Sequence, residues 1–245
     1  MSWEAARDHA TGYDQQSIRE RLVAATERVV ESNGQLFERD GVILAQPTPP
    51  FALLTFLLRA AARNDGALNV LDFGGSLGST FRQCSPFLEH VPRLCWNVVE
   101  QAALSEVGRT RFSTSRLKFH DSVKDAAREG PPDVVIFSGV LQYLDDPYEV
   151  IAEVSASGAS TVIIDRNPFS DSVNDVYAVQ IVSADIFSAR LAFRIFGITR
   201  LERALFPIYC KVAEFDCIDR DATLGVLDVR FRGQAFERRT VKPGS

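Results

Sequence analysis

The chain is poor in the residues from which metal sites and disulfide frameworks are built. Cys84, Cys95, Cys210 and Cys217 form no CxxC pair, and His9, His90 and His120 are the only histidines. No metal site is expected from such a set. Reduced, mostly buried thiols in a cytoplasmic protein are the expectation. A basic excess is also missing. The net charge of −5 speaks against a nucleic-acid partner and leaves a small or locally bound anionic substrate open. Long apolar runs are absent too. The longest, Phe51–Leu58, continues to Ala62 only with Arg59 inside it, well short of the roughly 20 residues of a membrane span. No transmembrane segment is therefore expected. The run reads as a buried helix, with a face for lipid or a lipid-linked substrate as the alternative. Met1–Asp8 lacks the basic-then-apolar pattern of a signal peptide. Internal repeats and low-complexity tracts are likewise missing.

What is present suits a packed α/β protein. Apolar residues make up 46% of the 245 and charged residues 24%, enough for one large domain or two small ones. Ile18, Leu22, Ala25, Val29 and Val30 recur at helical spacing, and Asn33-Gly34 is a plausible stop. Pro50 can open a further helix running through Arg63. Residues 1–65 thus read as a helical lead-in without a sheet of its own. From Leu68 onward strand and helix signals alternate. Strands are expected at Leu68–Phe73, Leu94–Val99, Leu117–His120, Asp133–Phe137 and Thr161–Ile164. Helices are expected at Gly78–Leu88, Gln101–Thr110 and Asp146–Ser155. Such alternation implies βαβ units and a parallel sheet covered on both faces. Ser183–Leu205 shows mixed helical periodicity and many aromatics. Tyr209–Cys217 and Val226–Phe236 then read as an antiparallel hairpin at the sheet edge.

The most informative stretch is Val70-Leu-Asp-Phe-Gly-Gly-Ser-Leu-Gly-Ser-Thr80, a strand, a glycine turn and a helix start. Glycine serves where φ is positive or where backbone must approach a ligand. The helix start offers unpaired N–H groups. A purely structural turn would account for one of the glycines. A dinucleotide site would want G-x-G-x-x-G; here Ser76 stands at the second glycine, and Asp72 is a poor neighbour for a diphosphate. A serine hydrolase would read Gly74-Gly75-Ser76-Leu77-Gly78 as a nucleophile elbow, but no histidine follows His120 to serve as a late base. An S-adenosylmethionine (SAM) site is the third reading. Asp72, at the end of the first strand, suits the ammonium and sulfonium. Glu100, with Gln101 beside it, ends the second strand and can accept from both ribose hydroxyls. Asp121 and Ser122 follow the third strand, near an adenine. Ser138 and Gly139 follow the fourth. Ligands of open α/β sheets bind at such strand ends.

With these residues in place, the chain resembles a class I SAM-dependent methyltransferase. More narrowly, it is similar to a methyltransferase family of bacterial surface-polysaccharide gene clusters. The matching segments are VLDFGGSLGST at 70–80, WNVVEQ at 96–101, DVVIFSGVLQYLDDP at 133–147 and VIIDRNPF at 162–169, with weaker similarity through Phe231-x-Gly233-x-x-Phe236. The resemblance spans roughly residues 50–240. It implies a Rossmann-like α/β fold whose seven-stranded, mostly parallel sheet has the order 3-2-1-4-5-7-6, the last strand antiparallel, within a domain of residues 66–240. It also implies SAM as cofactor, held by Asp72, Gly74, Gly75, Ser76, Gly78, Glu100, Gln101, Asp121, Ser122, Ser138 and Gly139. Ser76 departs from the general pattern, in which a middle glycine is common.

Methyl transfer needs an in-line approach to the sulfonium and a destination for the acceptor's proton. Gln142 and Tyr143 follow the fourth strand, where related enzymes line cofactor and acceptor. Asp165 and Arg166 follow the fifth. Asp165 is the candidate base, and Arg166 the candidate grip on an anionic acceptor. Alternatively the pair caps a strand, and Tyr143 is a packing aromatic. The aromatics Phe169, Tyr177, Phe187, Phe193, Phe196 and Phe206 serve the core or an acceptor lid. The expected partners are a small-molecule or glycan acceptor and, at most, a second copy of the chain. A cofactor-holding protein without turnover is the alternative function, and a serine hydrolase using Ser76 a third.

Overall fold

The computed structural model describes residues 1–12, 16–182 and 188–239. The lead-in carries α1 (Trp3–Asp8), α2 (Gln16–Glu31), β1 (Phe37–Arg39), β2 (Val42–Leu44) and α3 (Phe51–Arg63). α2 buries Ile18, Leu22, Ala25, Thr26 and Val29, the stripe its spacing predicts. α3 starts after Pro50 and buries Leu53, Leu54, Phe56, Leu57, Ala60 and Ala61, so the longest apolar run is a core helix. Among the described residues no helix is long and apolar enough to cross a membrane. The β1–β2 hairpin was not expected. It turns on Asp40 and Gly41, both at positive φ (52° and 74°), the geometry of a two-residue Asp-Gly loop.

The βαβ part follows as β3 (Ala67–Phe73), α4 (Ser79–Cys84), β4 (Arg93–Val99), α5 (Ala102–Val107), β5 (Leu117–His120), α6 (Val123–Ala126), β6 (Val134–Ser138), α7 (Pro147–Ala156) and β7 (Thr161–Ser170). β8 (Val176–Val182), β9 (Ala189–Gly197), α8 (Ile198–Leu205), β10 (Tyr209–Asp216), β11 (Ala222–Leu224) and β12 (Leu227–Arg238) complete it. The main sheet runs β5-β4-β3-β6-β7-β12-β10. Counted from β3 along this path the order is the expected 3-2-1-4-5-7-6, but the sheet has ten strands among the described residues, not seven, because β9 joins β7, β8 pairs with β9, and β11 pairs with β12. β12 lies antiparallel to both neighbours, and the other pairs along the path are parallel.

The sheet separates two cores. On β6, Val134 and Ile136 face the layer that holds α2 and α3, whereas Val135 and Phe137 face α7 and α8; this is the period-two alternation of a strand buried on both sides. Gly233 sits where β12 shifts register. A Cβ there would lie 2.0 Å from the Phe215 ring, so glycine lets the β10 aromatic cross.

Two expectations need correction. The described part of Ser183–Leu205 is not helical throughout: β9 occupies Ala189–Gly197, and only Ile198–Leu205 is helix. Leu191, Phe193 and Ile195 alternate with Ala192, Arg194 and Phe196, all buried, and a strand buried on both faces loses its periodic signature. Phe187 lies outside the described residues. The thiols are also less buried than expected; only Cys84 is buried, and the other three are half-buried.

Candidate functional site

The C-terminal ends of β3, β4, β6 and β7 open into a cavity of about 890 Å³. It lies where the chain leaves β3 for β4 on one side and β6 continues on the other, the switch point at which open α/β sheets bind ligands. Residues 39–40 and 49–53 from the lead-in, Gln180 and Val182 from β8, Leu191 from β9 and residues 215–219 after β10 form its cover. Every site residue expected from the sequence lines it except Gly78.

The glycine loop has a different division of labour from the one expected. Gly74 has φ 71°, and a Cβ there would lie 2.4 Å from Val140 Cγ2. At Gly75 a Cβ would lie 2.5 Å from Asp72 Oδ2. These two glycines let the loop lie flat over β3. Gly78 instead turns the chain into α4, with φ 86°, and faces Leu117 in the core; its demand is packing, not ligand approach. Ser76 takes φ 54°, a left-handed conformation that glycine adopts without strain.

Asp72 is 1% exposed. Trp96 Nε1 donates to its Oδ2 at 3.1 Å, and its Oδ1 has no protein partner. Burial pushes the carboxyl up to about 7, the Glu100 charge adds to the rise, and the Trp96 bond opposes it. Glu100 is half-buried. Its Oε2 accepts from Ser76 N at 3.2 Å and its Oε1 from Gln101 N at 2.9 Å. Each oxygen keeps a lone pair for a further donor, and burial raises this carboxyl as well.

On the far side, Asp121 receives Ser105 and Arg109, both on Oδ1, the latter at 2.7 Å. Its carboxyl is held low, chiefly by those two bonds. The Ser122 hydroxyl is committed to α6, accepting from Asp125 N at 3.1 Å and donating to Asp125 Oδ2 at 2.8 Å. Its side chain is a helix cap, and the residue still lines the cavity. Ser138 ends β6, and Gly139 N donates to Asp165 O at 2.9 Å.

The candidate chemical groups meet where β7 parts from β6; the fifth strand does not stop at Ile164 as expected but runs on to Ser170 beside β12, so Asp165 and Arg166 lie within it. Asp165 is 6% exposed, and burial raises its carboxyl while the Arg166 charge pulls it back. Gln142 is buried, with Nε2 on Arg166 O at 3.4 Å and Oε1 unpartnered. Tyr143 donates to Gln180 Oε1 at 2.8 Å, packs edge-on against Phe193, and is pushed up to about 12, chiefly by burial. It is therefore no base near neutral pH. Arg166, at φ 58°, gives Nε to Asp219 Oδ2 at 2.8 Å and Nη2 to Asp40 Oδ2 at 2.8 Å. The expected grip on an anionic acceptor is thus taken by two carboxylates of the protein itself.

Sequence reasoning missed Arg39, Asp40 and Asp219. Arg39 Nη2 donates to Thr48 O at 2.9 Å and Gln83 Oε1 at 3.1 Å; the guanidinium has no carboxylate within ion-pair distance among the described residues and reaches the cavity. The Asp40-Gly41 pair between Phe37–Arg39 and Val42–Leu44 was the available signal for that hairpin. No histidine lines the cavity among the described residues, and His120 Nε2 is engaged with Asn97 Oδ1 at 2.9 Å. The hydrolase reading of Ser76 is left without a base.

Strand order and cavity placement define a Rossmann-like α/β fold. No protein-family model and no curated protein matches the chain in sequence; solved structures match it in fold. The chain superposes on the N-terminal domain of EvdMO1, solved in the presence of SAH and D-fucose, with TM-score 0.52 and 14% identity over 92% of this chain and 97% of that one. The same domain with SAH bound gives TM-score 0.50 at 16% identity over 92% and 98%. A SAM-dependent methyltransferase from Clostridium acetobutylicum matches with TM-score 0.47 and 12% identity over 76% and 90%.

Proposed function

We propose that the chain is a SAM-dependent methyltransferase acting on a small molecule or a sugar or glycan precursor, as in the polysaccharide-cluster family it resembles. The observation that carries the reading is the pair of acidic strand ends. Asp72 holds a buried oxygen without a partner, and Glu100 keeps free lone pairs at the same cavity. The residues present fit the cofactor. Asp72 would take its ammonium, Glu100 its ribose hydroxyls and Arg39 its carboxylate, while the free Oδ2 of Asp121 would lie toward the adenine. When bound, the sulfonium supplies an activated methyl group. Asp165 then serves as the resting place for the acceptor's proton, and Gln142 orients the acceptor. Tyr143 positions the wall through Gln180. Arg166 ties Asp40 and Asp219 over the site. Because residues 39–40 and 49–53 line the cavity, residues 1–65 and 66–240 are read as one functional unit. The D-fucose in the EvdMO1 domain crystals is in keeping with a sugar-like acceptor.

A crystal grown with S-adenosylhomocysteine tests this. The expected density runs from Arg39 past Asp72 to Glu100 and Asp121. Density outside this cavity, or none at saturating ligand, overturns the reading.

A further inference from the structure

The half of the cavity beside β7 is lined by the cations Arg39 and Arg166 and by the carboxylates Asp40, Asp165, Asp216 and Asp219. Arg166 is consumed between Asp40 and Asp219, so one positive charge already answers two negative ones. Asp216 is largely exposed and leans on Arg232 at 3.7 Å. Arg39 turns toward Gln83 and Thr48 on the glycine-loop side. Among the described residues Asp165 makes no ion pair within 4 Å. A second, independent feature points the same way. Gln142, 3% exposed, presents an Oε1 with no partner on the same wall. The unspent groups here are therefore hydrogen-bond acceptors in a negative field, and they call for a ligand rich in N–H donors and carrying positive charge. An anionic acceptor would find only Arg39 without a carboxylate partner, and the methyltransferase reading commits that guanidinium to the cofactor's carboxylate.

Resting on the methyltransferase reading above, we infer that the acceptor is an amine, an amino sugar or comparable small molecule, whose ammonium is received by Asp165 and Gln142. The ammonium gives its proton to the Asp165 carboxylate. The amine nitrogen then forms a bond to the methyl carbon as the carbon–sulfur bond breaks, with its electron pair going to sulfur. The products are a protonated methylamine and the thioether. Asp165 releases its proton to water as the site reopens.

The test is ligand-observed NMR titration of glucosamine, glucose and glucuronate against protein saturated with S-adenosylhomocysteine. Glucosamine should bind tightest of the three. Asp165→Asn should weaken it about tenfold, the loss of one hydrogen bond to a charged group, and Gln142→Leu by a smaller factor. S-adenosylhomocysteine binding should persist in both variants, which reports that they fold. Glucuronate binding as tightly, equal binding of all three sugars, no binding of any, or an unchanged glucosamine affinity in Asp165→Asn each overturns the amine inference alone. Failure of the wild-type protein to bind S-adenosylhomocysteine overturns the reading beneath it.

Discussion

Asp72 concentrates the physics of the site in one carboxylate. It is buried, half-satisfied by Trp96, and raised to about 7 by its burial. A ligand ammonium needs the ionised form, so binding must drive off any proton the carboxylate holds. The sign follows: affinity for S-adenosylhomocysteine should rise with pH up to about 7 and level off above it. Below that point it should fall by about tenfold per pH unit. Titration calorimetry between pH 5 and 8 checks this, with Asp72→Asn expected to bind more weakly and without the slope. A flat wild-type profile would detach Asp72 from the ligand. At this scale the sequence was legible where type and place coincide. Asp72 and Asp165 follow apolar stretches within their strands, Glu100 and Gln142 come after theirs, and all four reach the cavity. It was not legible where a side chain's partner decides its role. Arg166 is spent on Asp40 and Asp219, far apart from it in the chain, and no local pattern announces such pairings.

Among the elements, the β8–β9 hairpin and the lead-in decide the shape of the cover. β9 joins β7 through Phe169–Phe196 and Ser170–Gly197, and α1 braces the hairpin from outside. The Trp3 ring lies tilted against the Tyr177 ring at 5.8 Å, the Arg194 guanidinium sits 5.0 Å from the Trp3 ring, and Trp3 Nε1 donates to Asp145 Oδ1 at 3.0 Å. Arg194 is in turn buried against Asp175. Trp3→Ala should therefore cost about 3 kcal/mol in urea unfolding, the usual range for deleting a packed aromatic. A loss under about 0.5 kcal/mol, typical of a surface change, would mean that α1 braces nothing. The alternating βαβ elements were legible because each has its own period. β9 was not, since apolar residues on both faces erase the difference between strand and helix. The β1–β2 hairpin was legible in principle from Asp40-Gly41, a short signal inside a segment dominated by helices.

For the whole molecule, the sheet order, the switch point and the cavity form one arrangement. Parallel strands bring Asp72, Glu100, Ser138 and Asp165 to the same edge, and β12 inserts antiparallel between β7 and β10 with Phe231 reaching the cavity. The lead-in adds Arg39 and Asp40 from the opposite end of the chain, a juxtaposition that only the folded topology creates. The central claim is that this cavity is built for SAM. Titration calorimetry with S-adenosylhomocysteine on the wild-type chain and on Glu100→Ala tests it most directly. The account predicts one site per chain with sub-millimolar affinity, weakened about tenfold in Glu100→Ala as hydrogen bonds to a charged group are lost. No binding at millimolar ligand, or equal binding by both proteins, would contradict it.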